Sequence, residues 1–207
     1  MGILNKFFNQ TRKPEGFLGR LMLHLMNSGH TKLADWGLSQ LPKLSPTHIV
    51  DLGCGGGRNV AKLLRDYSPA AVDGIDYSPL SVSNATRFNQ SAIKAGKCTI
   101  AVNNVSELSL KSEQYGLATA FETVYFWPGL ENCFAQVLRI LQPGGTFLIV
   151  NESNGTDKTG KQFEKIIDQM KVYTDEDLKT ALSRAGFRNI RITHHPHHPW
   201  LAVIAEK

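Results

Sequence analysis

The sequence predicts an α/β fold: a three-layer sandwich in which helices cover both faces of a mostly parallel, seven-stranded sheet. Short apolar runs alternate along the chain with segments of helical periodicity, which is typical of parallel strands joined by crossover helices. The last two apolar runs, at 188–193 and 201–206, are joined by residues 194–200, a connection too short for a crossover. We therefore expect the sheet to end in an antiparallel hairpin.

Composition excludes several classes of protein. The 207 residues are 42% hydrophobic and 20% charged, which suits one soluble domain with a real core. No apolar run reaches the ~18 residues that a membrane helix needs, and residues 1–13 lack the pattern of a secretory signal. The net charge of +5 is scattered along the chain, which favours a solvated surface over a nucleic-acid site. We expect a cytoplasmic monomer or homodimer that binds neither nucleic acid nor membrane.

Residues 1–46 are predicted to form an arm and a helical pair ahead of the first strand. Apolar residues from Phe17 to Met26 follow helical spacing, and a second helix precedes Pro42 with an apolar face of Leu33, Trp36 and Leu41. This pair either covers the sheet or forms a lid over a ligand pocket. Residues 47–207 form the main domain, and both parts belong to one globular unit.

The main domain alternates strands and helices in order. Strands are predicted at 47–52, 70–76, 98–102, 117–122, 146–151, 188–193 and 201–206, with a turn at 142–145 and a loop at 152–160. Helices are predicted at 57–67, 79–95, 130–141, about 163–170 and between Thr174 and Gly186. Ser78-Pro79 is a strong helix start and Gly96 a stop, while Thr174 and Asp177 have the form of a capping box.

A glycine-rich loop joins the first strand to the next helix, in Asp51-Leu-Gly53-Cys-Gly55-Gly-Gly57. Glycine permits positive φ and close approach to a ligand, and we expect free N–H groups here that favour acceptor atoms. Dinucleotide-binding loops read G-x-G-x-x-G, but Arg58 stands where the last glycine should be. The Asp51 carboxylate would also repel a pyrophosphate, whereas it would attract an ammonium group.

This loop resembles motif I of the class I S-adenosylmethionine-dependent methyltransferases, which has the form D-x-G-x-G-x-G. The stretch from Ala135 to Glu152 contains the pattern L-x-P-G-G-x-F-x-I-x-x-E and resembles the helix–turn–strand block of the small-molecule members of that family. The resemblance covers about residues 47–207. It implies a Rossmann-like fold with an N-terminal helical lid, and S-adenosylmethionine as cofactor with S-adenosylhomocysteine as product.

The resemblance assigns donor-binding roles along the chain. Asp76, at the end of the second strand, would accept the ribose hydroxyls in preference to Asp73, and Tyr77 would pack on the adenine. Asn104 stands where the family has an acid; its carbonyl can still accept from the adenine amino group, or it is a plain turn residue. The full set of cofactor-binding candidates is Asp51, Gly53, Cys54, Gly55, Gly57, Asp76, Tyr77, Asn104, Val105 and Phe121.

The aromatic segment 121–128 follows the fourth strand and should border the donor, since ligands of open α/β sheets bind where the topology switches. Its rings could attract a sulfonium through cation–π contacts, or Phe126 and Trp127 could simply be core. The segment lacks the N/D-P-P-Y/F motif of methyltransferases that act on nucleic-acid amino groups. His30 and Tyr125 are the catalytic candidates, as groups that could act on the acceptor.

We expect no metal. The histidines of the last hairpin, His194, His195, His197 and His198, are interrupted by prolines, and we interpret them as an exposed loop. The three cysteines, Cys54, Cys98 and Cys133, have no metal-type spacing and are expected to be free thiols. The predicted function is methyl transfer from S-adenosylmethionine to a small-molecule acceptor. The alternatives are a non-catalytic binding module of the same fold and a nicotinamide-dependent reductase.

Overall fold

A computed structural model describes residues 31–207 of the chain. The helix predicted at 17–26 and the catalytic candidate His30 lie outside this range, so the lid that they would form stays a prediction.

The described residues contain one seven-stranded sheet, as the sequence predicts. In spatial order the strands run β3-β2-β1-β4-β5-β7-β6. All neighbours are parallel except β7, which is antiparallel to both β5 and β6. The strands are β1 (His48–Leu52), β2 (Ala71–Asp76), β3 (Cys98–Val102), β4 (Tyr115–Phe121), β5 (Leu141–Asn151), β6 (Arg188–His194) and β7 (Leu201–Glu206).

Helices lie on both faces of the sheet. They are α1 (Thr31–Ser39), α2 (Arg58–Tyr67), α3 (Pro79–Phe88), α4 (Gln90–Lys94), α5 (Leu130–Ile140), α6 (Lys158–Ile166) and α7 (Asp175–Ala185), with 3-10 turns at Val105–Glu107 and Val124–Phe126. One buried cluster joins the sheet to α1, α2 and α3, and another joins the opposite face to α5 and α7. The strand order reverses between β1 and β4, which places the switch point at the centre of the sheet.

The second helix of the predicted N-terminal pair, α1, packs directly on the sheet. Its buried residues Leu33, Ala34 and Leu38 belong to the same cluster as Val150 of β5. A Cβ at Gly37 would lie 2.3 Å from a Val150 methyl carbon, so only a glycine allows this close approach. For residues 31–39 the structure therefore supports the sheet-covering alternative.

Local signals for helix ends are confirmed. The Ser78 hydroxyl accepts from the Ser81 N–H with Pro79 at the first helical position, and Thr174 and Asp177 form a complete capping box. Gly186 ends α7 in the left-handed region, with φ 104°. These ends are set by neighbours in the chain, which is why sequence alone finds them.

Three predicted boundaries are wrong. The helix at 79–95 is two helices, because the Asn89 amide donates to the carbonyls of Gly57 and Ala85 at the break. The loop at 152–160 is partly helical, since Asp157 caps the start of α6 by accepting from the Gly160 N–H.

The third wrong boundary is the predicted turn at 142–145, which lies within β5. Tyr115 pairs with Leu141 and Leu117 with Thr146, so β5 bulges outward over the turn residues. Hydrogen bonding to β4 on both sides of the bulge keeps these residues within the strand.

Within residues 31–207, no helix is long and apolar enough to cross a membrane. Cys54, Cys98 and Cys133 are all buried free thiols.

Candidate functional site

A cavity of about 210 Å³ opens where the carboxyl ends of β1, β2, β3 and β4 meet. This is the edge at which the sheet changes direction, where ligands of open α/β sheets bind. Its described lining residues are Gly53, Ile75, Asp76, Tyr77, Asn103, Asn104, Val105, Thr123, Phe126, Trp127, Pro128 and Gln169.

The glycine loop is shaped by close contacts as well as by its turn. Gly53 has φ 81°, and a Cβ there would lie 2.2 Å from the Thr123 hydroxyl oxygen, so the loop passes against the segment after β4. Gly57 has φ 82°, and a Cβ there would strike Asn89 and Ala85 of the neighbouring helix. Gly55 has φ 53° with open space beside it, which leaves room for a ligand.

Four of the loop N–H groups are not free, contrary to expectation. Gly53 and Cys54 both donate to the Ile75 carbonyl, and Gly57 donates to the Cys54 carbonyl. The Gly55 N–H donates to a carboxylate oxygen of Asp76 at 2.9 Å. The first two donors and Gly55 hold the loop onto β2, and Gly57 closes the loop on itself, so none of the four is directed at a ligand.

Asp76 is the one charged side chain among the cavity-lining residues of 31–207. One carboxylate oxygen accepts from the Gly55 N–H and the other from the Ser78 N–H, at 2.9 and 2.8 Å. Burial raises the pKa of Asp76 above its ordinary value, and these backbone bonds oppose the rise. The Ser81 side chain also bonds the carboxylate, which leaves only part of its capacity of about four hydrogen bonds for hydroxyls of a ligand. Asp73, the alternative acceptor for the ribose hydroxyls, instead accepts from the Tyr115 hydroxyl at 2.6 Å and lines no part of this cavity.

Asp51 lies behind the loop, 2% exposed, and accepts from the Thr119 hydroxyl at 2.8 Å. Burial raises its pKa to about 7; the Thr119 bond lowers the value and the Asp76 charge raises it. Near neutral pH this carboxyl therefore exists in both protonation states.

Three of the predicted adenine-side residues, Tyr77, Asn104 and Val105, line the cavity together. The Asn104 side-chain oxygen accepts from the Ser106 N–H at 3.1 Å and caps the following 3-10 turn. This contact fits the alternative in which Asn104 is a turn residue. The second lone pair of the oxygen can still accept from an adenine amino group.

The segment after β4 forms the wall of the cavity opposite Tyr77, Asn104 and Val105. Phe126, Trp127 and Pro128 line the cavity, and the Trp127 indole N–H donates to the Thr123 hydroxyl at 3.2 Å. Trp127 is also 6% exposed and stacks on Phe147. It therefore belongs to both the core and the cavity wall, which the sequence presented as alternatives.

Two cofactor-binding candidates, Cys54 and Phe121, are buried in the core cluster of α1, α2 and α3 and are not among the lining residues. The sequence assigns no individual role to Ile75, Asn103, Thr123 or Gln169, although Thr123 lies in the segment 121–128 that is predicted to border the donor. Gln169 adopts φ 60° between α6 and α7, far along the chain, and no local signal marks it.

Tyr125 is 3% exposed, and its hydroxyl is not directed into the cavity. The hydroxyl accepts from the Ser153 N–H at 2.9 Å and donates to Glu122 at 3.3 Å. Burial and the Glu122 charge raise the pKa of Tyr125 well above its usual value. Its place in the structure is thus a buried link between the ends of β4 and β5.

The hairpin histidines form a surface cluster. His194 contacts Asp175 at 2.8 Å, and His195 and His198 lie against Trp200. In the part of the chain that the structure describes, no group of three or more His, Cys, Asp or Glu side chains could hold a metal ion.

Comparisons with known proteins agree with this geometry. A family model described as a methyltransferase domain matches residues 50–149, which run from β1 through most of β5. The chain thus contains a methyltransferase domain, and these matches support a class I S-adenosylmethionine-dependent methyltransferase. The predicted family and fold are thereby confirmed.

Curated relatives of this methyltransferase are distant. A malonyl-[acyl-carrier protein] O-methyltransferase of Geobacter sulfurreducens is 24% identical over 72% of the chain, and a trans-aconitate 2-methyltransferase of Acidovorax is 26% identical over 79%. The matched regions span 58% and 60% of those two relatives.

Solved structures share the fold at lower identity. A Haloferax volcanii methyltransferase in complex with the Trm112 methyltransferase activator superposes with TM-score 0.83 and 16% identity, covering 100% of this chain and 98% of that one. Human N-acetylserotonin methyltransferase in complex with S-adenosylmethionine gives TM-score 0.74 and 15% identity, covering 90% and 55%. The cofactor prediction is confirmed at the level of the family.

Proposed function

We propose that this protein transfers a methyl group from S-adenosylmethionine to a small-molecule acceptor and releases S-adenosylhomocysteine. The observation that carries the proposal is the Asp76 carboxylate, fixed by two backbone N–H groups at the wall of the cavity. Such a fixed acceptor suits a pair of ribose hydroxyls.

The residues present fit the donor. Asp76 would accept the ribose hydroxyls, Tyr77 and Val105 would border the adenine, and the space beside Gly55 would take the methionine part. Asp51, behind the loop, would offer a negative charge to the donor's ammonium group. The bound donor supplies a methyl group already activated by its sulfonium, so the protein's contribution is to align the two reactants, worth up to ~7–11 kcal/mol.

Two features support a small acceptor. The segment after β4 has no N/D-P-P-Y/F motif, and its lining residues Phe126, Trp127 and Pro128 form a confined wall. The curated relatives named above are named for acceptors that carry a carboxylate. Monomer or homodimer stays our prediction for the oligomeric state.

A second candidate function is methyl transfer that requires an activator subunit. It is favoured by the likeness to the Trm112-bound methyltransferase, which spans both chains almost completely. Phe88 and Val102, 57% and 54% exposed, provide apolar surface on α3 and at the end of the edge strand β3. In this case the isolated chain would bind the donor and show turnover only with the activator present.

Calorimetry with S-adenosylmethionine tests donor binding. Asp76→Ala should weaken binding at least tenfold, because each lost charge-assisted hydrogen bond costs ~1.5–3 kcal/mol. Glu107→Gln, at an exposed carboxylate outside the cavity, should bind like the wild type. Equal affinity of wild type and Asp76→Ala would remove Asp76 from the donor site, and heat with NADH in place of S-adenosylmethionine would favour the reductase.

A further inference from the structure

The donor cavity has apolar walls and neutral amide side chains at its edge. Tyr77, Val105 and Phe126 line its walls, and Asp76 is the one charged lining residue within 31–207. The cavity volume of about 210 Å³ is below the ~300–1,000 Å³ of pockets that enclose a drug-sized ligand, so it suits one ring system of the donor. Apolar walls edged by uncharged polar groups suit a neutral heterocycle.

Two of the amide side chains that line the cavity are partly used by neighbouring backbone. The Asn103 oxygen accepts from the Asn104 N–H at 3.0 Å and from the Ser109 N–H at 3.3 Å, so both of its lone pairs are engaged. The Asn104 oxygen accepts from the Ser106 N–H at 3.1 Å and keeps one lone pair. The first of these two oxygens is therefore closed to a ligand, and the second is half open.

Gln169 is the third amide among the lining residues, and its hydrogen-bonding groups are unused. Within residues 31–207 its side chain makes no hydrogen bond. A primary amide can accept two hydrogen bonds at its oxygen and donate two from its NH2 group. Gln169 can therefore offer an acceptor and a donor, side by side, to the same ligand.

The link between α6 and α7 is anchored on both sides of Gln169. Ile167, at the C-terminal end of α6, is 5% exposed. The Lys171 N–H donates to the Tyr125 carbonyl at 2.9 Å, which ties the link to the segment after β4. Gln169 lies between these anchors with φ 60°. Because Phe126 follows Tyr125 and lines the cavity, the Lys171 anchor holds Gln169 beside this wall.

The chemistry of the Gln169 amide matches adenine. The ring carries an amino group, which donates, next to ring nitrogens, which accept, and a glutamine amide pairs with such an edge through two hydrogen bonds. We propose that Gln169 recognises the adenine of the donor, with its amide oxygen accepting from the amino group and its NH2 group donating to the adjacent ring nitrogen. The inference rests on the proposed methyl transfer, and it makes Gln169 a residue that determines specificity for the donor.

Calorimetry with two ligands tests this role. One is S-adenosylhomocysteine, and the other is its analogue with purine in place of adenine, which lacks the amino group and keeps the ring nitrogens. The wild type should bind S-adenosylhomocysteine at least about tenfold more tightly than the purine analogue. In Gln169→Gly this ratio should fall at least about fivefold. Glycine adopts φ 60° without strain, so the variant is expected to fold.

Two further variants show whether the amide oxygen is responsible. Ser68→Gly makes the same kind of backbone change at an exposed residue with φ 45° outside the cavity, so it should keep the wild-type ratio. Gln169→Glu loses the NH2 group but keeps oxygens that accept from the amino group. It should therefore still prefer S-adenosylhomocysteine to the purine analogue, whereas Gln169→Gly should not.

The outcomes separate this inference from the proposed function. An unchanged ratio in Gln169→Gly would overturn the role of Gln169, and so would a wild type that binds both ligands equally. Loss of the ratio in Asn104→Ala alone would assign the recognition to Asn104 instead. Each of these results leaves the proposed function standing. A wild type that binds neither S-adenosylmethionine nor S-adenosylhomocysteine would overturn the proposed function itself.

Discussion

Replacing Asp51 by Asn should stabilise the protein near neutral pH and weaken donor binding at the same time. Asp51 is 2% exposed, and burial raises its pKa from 3.8 to about 7. A carboxyl whose pKa is raised on folding stabilises the protein below the unfolded pKa, and this contribution is lost as pH rises through the folded pKa. The wild type should therefore lose stability from about pH 4 to about pH 7.

The magnitude follows from the two pKa values. Their difference is 7 − 3.8, or about 3 units, and each unit corresponds to ~1.4 kcal/mol, which gives an upper bound of about 4 kcal/mol. Asparagine has the same shape and keeps an oxygen for the Thr119 hydroxyl, but it carries no charge. The difference in free energy of unfolding between Asp51→Asn and wild type should thus grow from near zero at pH 4 to ~1–4 kcal/mol above pH 7.

Urea denaturation at a series of pH values measures this difference, and Glu107→Gln is the matched control at an exposed carboxylate. Calorimetry at pH 8 should show donor affinity at least tenfold weaker in Asp51→Asn, because a charge opposite the donor's ammonium group has been removed. A stability difference that does not vary with pH, or a variant less stable than wild type at pH 8, would refute the reasoning from burial.

Three predictions concern other residues. Gly55→Val should abolish donor binding while the far-UV circular dichroism stays near that of the wild type, since the space beside Gly55 is open and its φ is 53°; a folded variant with full affinity would place the donor elsewhere. Tyr125→Phe should lower the free energy of unfolding by ~1–3 kcal/mol, because it leaves the buried Ser153 N–H unpaired, and should lower kcat. His30→Ala should lower kcat while donor affinity changes less than tenfold. If Tyr125→Phe and His30→Ala both turn over like the wild type, neither residue acts on the acceptor.

Sequence reasoning succeeds where a structure is set by near neighbours. The cap at Ser78, the capping box at Thr174 and the stop at Gly186 involve residues within a few positions of one another, and all three are observed. The hairpin of β6 and β7 follows from the shortness of its connection. The helix break at Asn89 has no local signal, because the carbonyl that it binds, at Gly57, is 32 residues away.

The site is predicted less completely than the fold for the same reason. The aromatic wall after β4 could be located, since strand ends at a switch point are readable from the order of elements. The pairing of the Gly55 N–H with Asp76 joins residues 21 apart, and Gln169 reaches the cavity from a distant loop. The side-chain amide of Asn151, which has no hydrogen-bond partner among residues 31–207, looks in the sequence like any polar residue that ends a strand.

The closed hydrogen bonds of the glycine loop bear on the choice of cofactor. A pyrophosphate-binding loop must present free N–H groups to its ligand. Here the N–H groups of Gly53, Cys54 and Gly55 are used by the Ile75 carbonyl and the Asp76 carboxylate. A pyrophosphate would meet carboxylates at this edge, while a ligand with hydroxyl and ammonium groups would find acceptors for both. The geometry therefore favours S-adenosylmethionine over a nicotinamide dinucleotide. The reason lies in the loop N–H groups, which the sequence predicts to be free and which are bonded to β2 in the structure.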